Sequence, residues 1–263
     1  GLASCGKIPF AYTISGFLTM RAFEQVRNDV CLQRMNVKLV GIGAGFVYSD
    51  LGPTHHATED IAILRVLPGM TILSPADPLE AYQATLAAVE VEGPVYLRIA
   101  GSKTPRIYGD DYRFEFGRGV TLRQGSDLAM IATGNIVQEV QQAAEELETA
   151  GLSVRLINIH TIKPIDRDII CRAARQTGAI LTVEEHSITG GLGSAVAEVL
   201  MEGGCGSVRF RRMGLRDCFP SGYGSYAEMK QINGLSRQHI VEAARQLLEA
   251  RHGTVAPYCN ATA

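Results

Sequence analysis

A chain of 263 residues, 46% hydrophobic and 20% charged, is long enough to bury a substantial core without disulfide or metal staples. That composition excludes disorder, and 28 glycines without a strict period exclude a collagen-like fibre. The 25 basic and 27 acidic residues leave a net charge of −2, which offers no field for nucleic acid or an anionic membrane.

Short apolar runs alternate with stretches of helical periodicity over the first hundred residues. Gly16–Arg34 carries a helical period, and Val37–Ile42 (VKLVGI) reads as a buried strand. Met70–Leu73 (MTIL), a helix over Pro78–Val91 and Val95–Ile99 (VYLRI) follow. Pro78 suits a first helical position, where the N–H it lacks would be unpaired anyway. Residues 101–118 break the pattern: they are polar, interrupted by Gly and Pro, and read as the connection between two domains.

The alternation restarts with Leu128–Thr133, a helix from about Ile136 to Ala150, Val154–Ile159 and a helix near Asp166–Gln176. Ala179–Glu184, a helix near Ser194–Met201, Val208–Met213 and a last helix from Ser236 to Arg251 complete it. Gly253–Ala263 lacks periodicity and reads as a loose tail. The expected fold is α/β: two consecutive domains, each a mainly parallel sheet flanked by helices.

No apolar run reaches the roughly 18–20 residues of a membrane span. Six cysteines stand singly at Cys5, Cys31, Cys171, Cys205, Cys218 and Cys259, without the paired spacing of a zinc or redox site. With no signal peptide in view, they read as reduced thiols of a cytoplasmic protein.

The densest polar cluster is Asp50–Asp60 (DLGPTHHATED), a loop after a predicted strand and so at the end where α/β proteins place their sites. His55 and His56 could be a helix entrance with solvent-facing imidazoles, or a site. A metal site is the weaker option, because His55 and Glu59 lack a third ligand nearby. Gly190-Gly191-Leu192-Gly193-Ser194, between a strand and a helix, could cradle a phosphate. The commoner use of such glycines is close approach of helix to sheet. Glu184-Glu185-His186 ends the preceding strand, as an acid–base group or, more commonly, a polar interface cluster. No nucleophile signature stands out.

Taken together, IPFAYTISGFLTMRAFEQVRNDV, LGPTHHATEDIAILRVLPGMTILSPADPLE, GPVYLRI, INIHTIKPID and ILTVEEHSITGGLGSAVAEVL resemble the C-terminal section of transketolases. The likeness is collinear over about residues 1–250 and strongest to enzymes whose two halves are separate chains. It implies a transferase moving a two-carbon ketol unit between sugar phosphates with thiamine diphosphate. It also implies a pyrimidine-binding domain at 1–105, a linker at 106–117 and a C-terminal domain at 118–252. An N-terminal section would be the partner and would hold the diphosphate and Mg²⁺, and the two-section unit would be a homo-oligomer, a dimer.

Residue by residue, the resemblance implies that Phe17 stacks on the aminopyrimidine, with Ile14 and Met20 lining the pocket. His55 is implied as the catalytic histidine facing the thiazolium and the substrate, and Arg98 as the arginine that binds the sugar phosphate. The family's acid before Gly-Pro-Thr-His is here Leu51, with Asp50 one position earlier as the candidate for the substrate hydroxyl. A second phosphate-binding histidine would fall near Gly43. Both departures point to a less common ketose phosphate donor. The glutamate that activates the cofactor would lie upstream of Gly1, so the sequence reads as lacking about 50 residues of such a section and as inactive alone. Deoxyxylulose-phosphate synthases and 2-oxoacid dehydrogenase beta chains are the related alternatives, and a non-catalytic partner subunit is the third. The Glu184–His186 cluster is expected at a subunit contact.

Overall fold

The structure, a computed structural model, describes residues 1–101 and 104–249. The expected tail, Cys259 and the last positions of the final helix lie outside the described residues. Among the described residues no helix is long and apolar enough to cross a membrane.

β1 (Phe10–Ile14), β2 (Lys38–Ile42), β3 (Thr71–Leu73) and β4 (Val95–Ile99) form a parallel sheet in the order β1-β2-β4-β3. The expected single helix over Gly16–Arg34 is instead broken. Phe17–Arg21 and Val26–Leu32 wind in wide π-type turns on either side of α1 (Phe23–Gln25), and Ala22 departs from helical geometry at φ −102°, ψ 22°. α2 (Asp60–Arg65) precedes β3, and α3 (Pro78–Glu90) links β3 to β4. Asp77 caps α3 by accepting the Glu80 N–H at 2.7 Å, and Pro78 takes the first helical position as expected.

β5 (Val120–Arg123), β6 (Leu128–Ala132), β7 (Val154–Asn158), β9 (Ala179–Ser187) and β10 (Arg209–Leu215) make the second sheet, ordered β10-β9-β6-β7-β5. It is parallel apart from the edge strand β5. α4 (Ile136–Thr149), α5 (Arg167–Thr177), α6 (Leu192–Glu202) and α8 (Arg237–Glu249) cover it. α7 (Tyr226–Ile232) was not foreseen, although Ser225 and Glu228 spell the capping box that starts it.

The larger surprise is β8 (Thr161–Lys163), which leaves the second half of the chain and pairs antiparallel with β3. Lys163 fixes the crossing by donating from Nζ to the carbonyls of Arg65 at 2.8 Å and Leu67 at 2.6 Å, the exposed end of α2. Ile61, Leu64 and Ile72 of the first half share one buried cluster with Ile131, Ile159, Ile162 and Leu192 of the second. The two sheets are therefore packed as one body. The stretch read as a linker is strapped down as well. Asp77 Oδ2 accepts the N–H groups of Ile107 and Tyr108 at 2.8 and 3.0 Å, while the Tyr112 hydroxyl donates to Glu80 at 2.6 Å.

His160 follows β7 at this junction, its ring buried against Phe114 with centroids 4.3 Å apart and its Nε2 without a hydrogen bond. Burial holds its pKa down to about 4, from the ordinary 6.5. The unfolded chain therefore takes up a proton below pH 6.5 that the folded chain refuses, so this contribution is present above 6.5 and lost as the pH falls toward 4. In urea titrations across that interval, His160→Asn is expected to show a shallower loss of stability than the parent. An equal slope would remove His160 as the cause.

Candidate active site

The loop leaving the carboxyl end of β2 begins with Gly43 in the left-handed region, at φ +78°. The Tyr48 ring lies over it, so close that a Cβ there would stand 2.1 Å from the ring. Tyr48 thus fills the space in which a side chain at position 43 would stand. Gly45 and Ala57 exchange two backbone hydrogen bonds of 3.1 Å and pinch the loop into a neck. Beyond the neck the chain turns tightly. The Leu51 N–H donates to the Tyr48 carbonyl at 3.1 Å, and the His55 N–H to the Gly52 carbonyl at 3.0 Å.

This turn brings His55 to Phe17, edge to face, with ring centroids 5.2 Å apart and planes at 61°. Tyr48 flanks the same imidazole at 6.4 Å. His55 Nδ1 lies 3.0 Å from Thr54 Oγ1, and its Nε2 makes no hydrogen bond among the described residues. Both Phe17 and His55 are half-buried, and the Arg21 guanidinium stands over the Phe17 ring, 4.5 Å from its centroid. Ile14 and Met20 flank Phe17 along the chain, Ile14 half-buried at the end of β1 and Met20 exposed. Asp50 and Leu51 are exposed on the same loop.

His56 faces the other way. It is 2% exposed, its ring packs edge-on against Phe46 at 5.8 Å, and neither ring nitrogen has a hydrogen bond of good geometry. Burial lowers its pKa and keeps it neutral. The two histidines, which residue spacing alone does not tell apart, divide into one half-exposed beside Phe17 and one buried beneath it.

The Arg98 side chain is largely buried at the junction of the two halves: Nε donates to Asp60 Oδ2 at 2.8 Å, and Nη2 to the carbonyls of Ala57 at 2.8 Å and Glu185 at 3.1 Å. Its charge is already matched by Asp60, which also accepts the Tyr96 hydroxyl at 2.6 Å. Glu184, Glu185 and His186 are buried too, inside the junction of the two halves and not at a subunit contact. His186 donates from Nδ1 to the Ser187 carbonyl at 2.6 Å and accepts the Ala62 N–H on Nε2 at 3.3 Å, which assigns a neutral tautomer. Burial holds its pKa down to about 4.

Nor is the glycine-rich turn an open phosphate cradle. The Glu184 carboxylate accepts the N–H groups of Leu192 at 2.6 Å and Gly193 at 2.8 Å, taking the anion position at the start of α6. Burial pushes the Glu184 pKa up to about 7, against the pull of those two donors. A Cβ on Gly191 would stand 2.0 Å from Glu184 Oε2, so the glycine serves close approach.

Residues 1–105 match the transketolase pyrimidine-binding domain, and residues 117–240 match the transketolase C-terminal domain. The chain is 40% identical over 252 residues to the 6-deoxy-6-sulfo-D-fructose transketolase subunit SqwH of Clostridium sp. (strain MSTE9), covering 96% of this chain and 77% of that protein. It is 38% identical over 252 residues to the 1-deoxy-D-xylulose-5-phosphate synthase of Heliobacterium modesticaldum, covering 95% of this chain and 38% of that enzyme. Among solved structures, a split-gene transketolase in an inactive beta4 tetramer superposes with a TM-score of 0.87 at 40% identity, over 94% of this chain and 78% of that one.

The capping of α6 by Glu184 is open to test. Glu184→Gln turns a donor toward N–H groups that need an acceptor, and is expected to cost about 1–3 kcal/mol of stability. The midpoint of denaturant unfolding reads this directly; an unmoved midpoint would dismiss the cap.

Proposed function

Because the chain belongs to the transketolase family, as the C-terminal half of a thiamine-dependent, transketolase-like enzyme, we propose that it works as one section of a two-section transferase. The reaction is the transfer of a two-carbon ketol unit between sugar phosphates, with an N-terminal section as partner and the paired sections assembled as a homo-oligomer, a dimer. The pyrimidine-binding domain occupies 1–105, the linker 106–117 and the C-terminal domain 118–252 in this reading. The observation that carries it is the half-buried Phe17–His55 pair at the carboxyl end of the first sheet.

The residues fit one end of thiamine diphosphate. Phe17 offers its ring for the aminopyrimidine, with Ile14 and Met20 beside it and the long, flexible Arg21 side chain over the ring giving way to the cofactor. In this reading the diphosphate and Mg²⁺ are held by the partner section. When bound, the cofactor supplies the carbon nucleophile that takes up the two-carbon unit.

This chain supplies orientation and proton handling. Thr54 engages Nδ1 of His55, leaving Nε2 to hydrogen-bond a substrate hydroxyl or carbonyl and to move its proton. Asp50 stands on the same loop as the group for a substrate hydroxyl. Leu51 and Gly43, apolar or occupied where the family resemblance expects polar contacts, favour a less common ketose phosphate as donor. A second reading, a deoxyxylulose-phosphate-synthase-like activity, is favoured by the 38% identity to that enzyme.

In the full two-section enzyme with thiamine diphosphate and Mg²⁺, His55→Ala is expected to lower kcat/KM for ketose cleavage by roughly 10²-fold or more. His56→Ala is expected to lower the melting temperature instead, with a much smaller kinetic effect. Equal kinetic losses would defeat the assignment, and loss of CO₂ from a 2-oxo acid in place of ketose cleavage would favour the second reading.

A further inference from the structure

We propose that Tyr223, in the C-terminal half of the chain, is a positioning residue for His55; the inference rests on the reading of His55 given above. Tyr223 stands on the loop between β10 and α7, and its ring lies against Gly52. A Cβ on Gly52 would stand 2.3 Å from Tyr223 Cε1 and 2.9 Å from both Cζ and Oη. The ring is therefore in van der Waals contact with the backbone at Gly52, which sits in the left-handed region at φ +76°. The Gly52 carbonyl is the acceptor for the His55 N–H, at 3.0 Å. Pressure on one peptide is thus pressure on the place of the imidazole.

Other ties from the second half of the chain hold the two ends of this loop, with Glu185 packed against Gly45 at its start. Ser187 donates its N–H to the Thr58 carbonyl at 2.8 Å, Arg98 joins the carbonyls of Ala57 and Glu185, and His186 meets the Ala62 N–H. Tyr223 reaches the turn itself. Phe17 and Tyr48 flank the imidazole directly, and Tyr223 bears on the glycine whose carbonyl accepts the His55 N–H.

The loop that carries Tyr223 is itself fixed. Asn233 closes it by accepting the Ser221 N–H at 2.9 Å and donating to the Ser221 carbonyl at 3.2 Å. Gly222 and Gly224 bracket the tyrosine at φ +82° and +151°, conformations that favour glycine and aim the ring inward across the surface. Tyr223 remains 68% exposed, so it adds little to global stability. The contact is made by the ring.

The test uses the two-section enzyme with thiamine diphosphate and Mg²⁺. Tyr223→Ala is expected to lower kcat about tenfold with KM for the ketose little changed, because misplacement harms the reacting geometry more than binding. Tyr223→Phe should keep the parent kcat, and both variants should keep the parent melting temperature. By NMR, the His55 Cε1–H resonance should move in Tyr223→Ala and stay in place in Tyr223→Phe. Parent kcat in Tyr223→Ala, beside an inactive His55→Ala, overturns the positioning role alone. An active His55→Ala overturns the reading of His55 and this inference with it. An unmoved His55 resonance in Tyr223→Ala overturns the inference even if kcat falls.

Discussion

One buried ion pair, Arg98 with Asp60, is the constraint on which this architecture depends. Both side chains are essentially out of contact with water, and a lone charge in such a place costs several kcal/mol. Neither residue is tolerable without the other. Arg98 comes from β4 and Asp60 from the first turn of α2, so the pair fixes where that helix begins. The second arm of the guanidinium reaches the carbonyls of Ala57, at the end of the His55 loop, and Glu185, on β9. A lysine could match the charge but could not span these three elements at fixed angles, because only the planar fork presents its donors in several directions.

That arrangement changes the part assigned to the second half of the chain. It supplies β8 to the first sheet, Lys163 to the end of α2, and Glu185 and Ser187 to the base of the His55 loop. The hydrophobic cluster runs through the junction without a break. Such contacts make the pyrimidine-binding half and the C-terminal half a single rigid scaffold, and loops on rigid scaffolds hold functional groups in place. The burial of Glu184 and His186 belongs to the same design. One caps α6 and the other caps a backbone N–H of α2, so both helices are locked to the interface they flank.

Much of this fold was legible from periodicity alone, since Val95–Ile99, Leu128–Ala132 and Pro78–Glu90 are long, regular and locally consistent. β8 was not, because three residues carry no period and their partner strand lies some ninety positions away. Arg98 shows a different limit. An arginine at a strand end has the right chemistry for a phosphate, and nothing in its neighbours along the chain reveals that Asp60 faces it. The glycine-rich turn shows the same thing in reverse, since the anion it receives is Glu184, several residues back on the preceding strand. By spacing alone His55 and His56 have equal claims, and only the family resemblance singles out His55. The turn anchored on Gly52 separates them, and the ring of Tyr223 on that glycine is a contact no spacing could have announced.

The partial exposure of the Phe17–His55 pair is the last element with a physical consequence. A reacting centre gains from the exclusion of water, which strengthens every local electrostatic interaction. Here the aromatic platform and the imidazole are half-buried, and Met20 and Leu51 beside them are exposed. A single wall of this kind orients a ligand from one side and cannot enclose it. Its precision comes from behind: Tyr48 over Gly43, the bridge between Gly45 and Ala57, and the ion pair beneath them. In the proposed two-section assembly the partner supplies the enclosing surface, and this half is ordered by its own contacts before the other arrives. A platform already ordered by internal contacts loses little freedom on assembly, so the association energy can be used to close the site and not to build it.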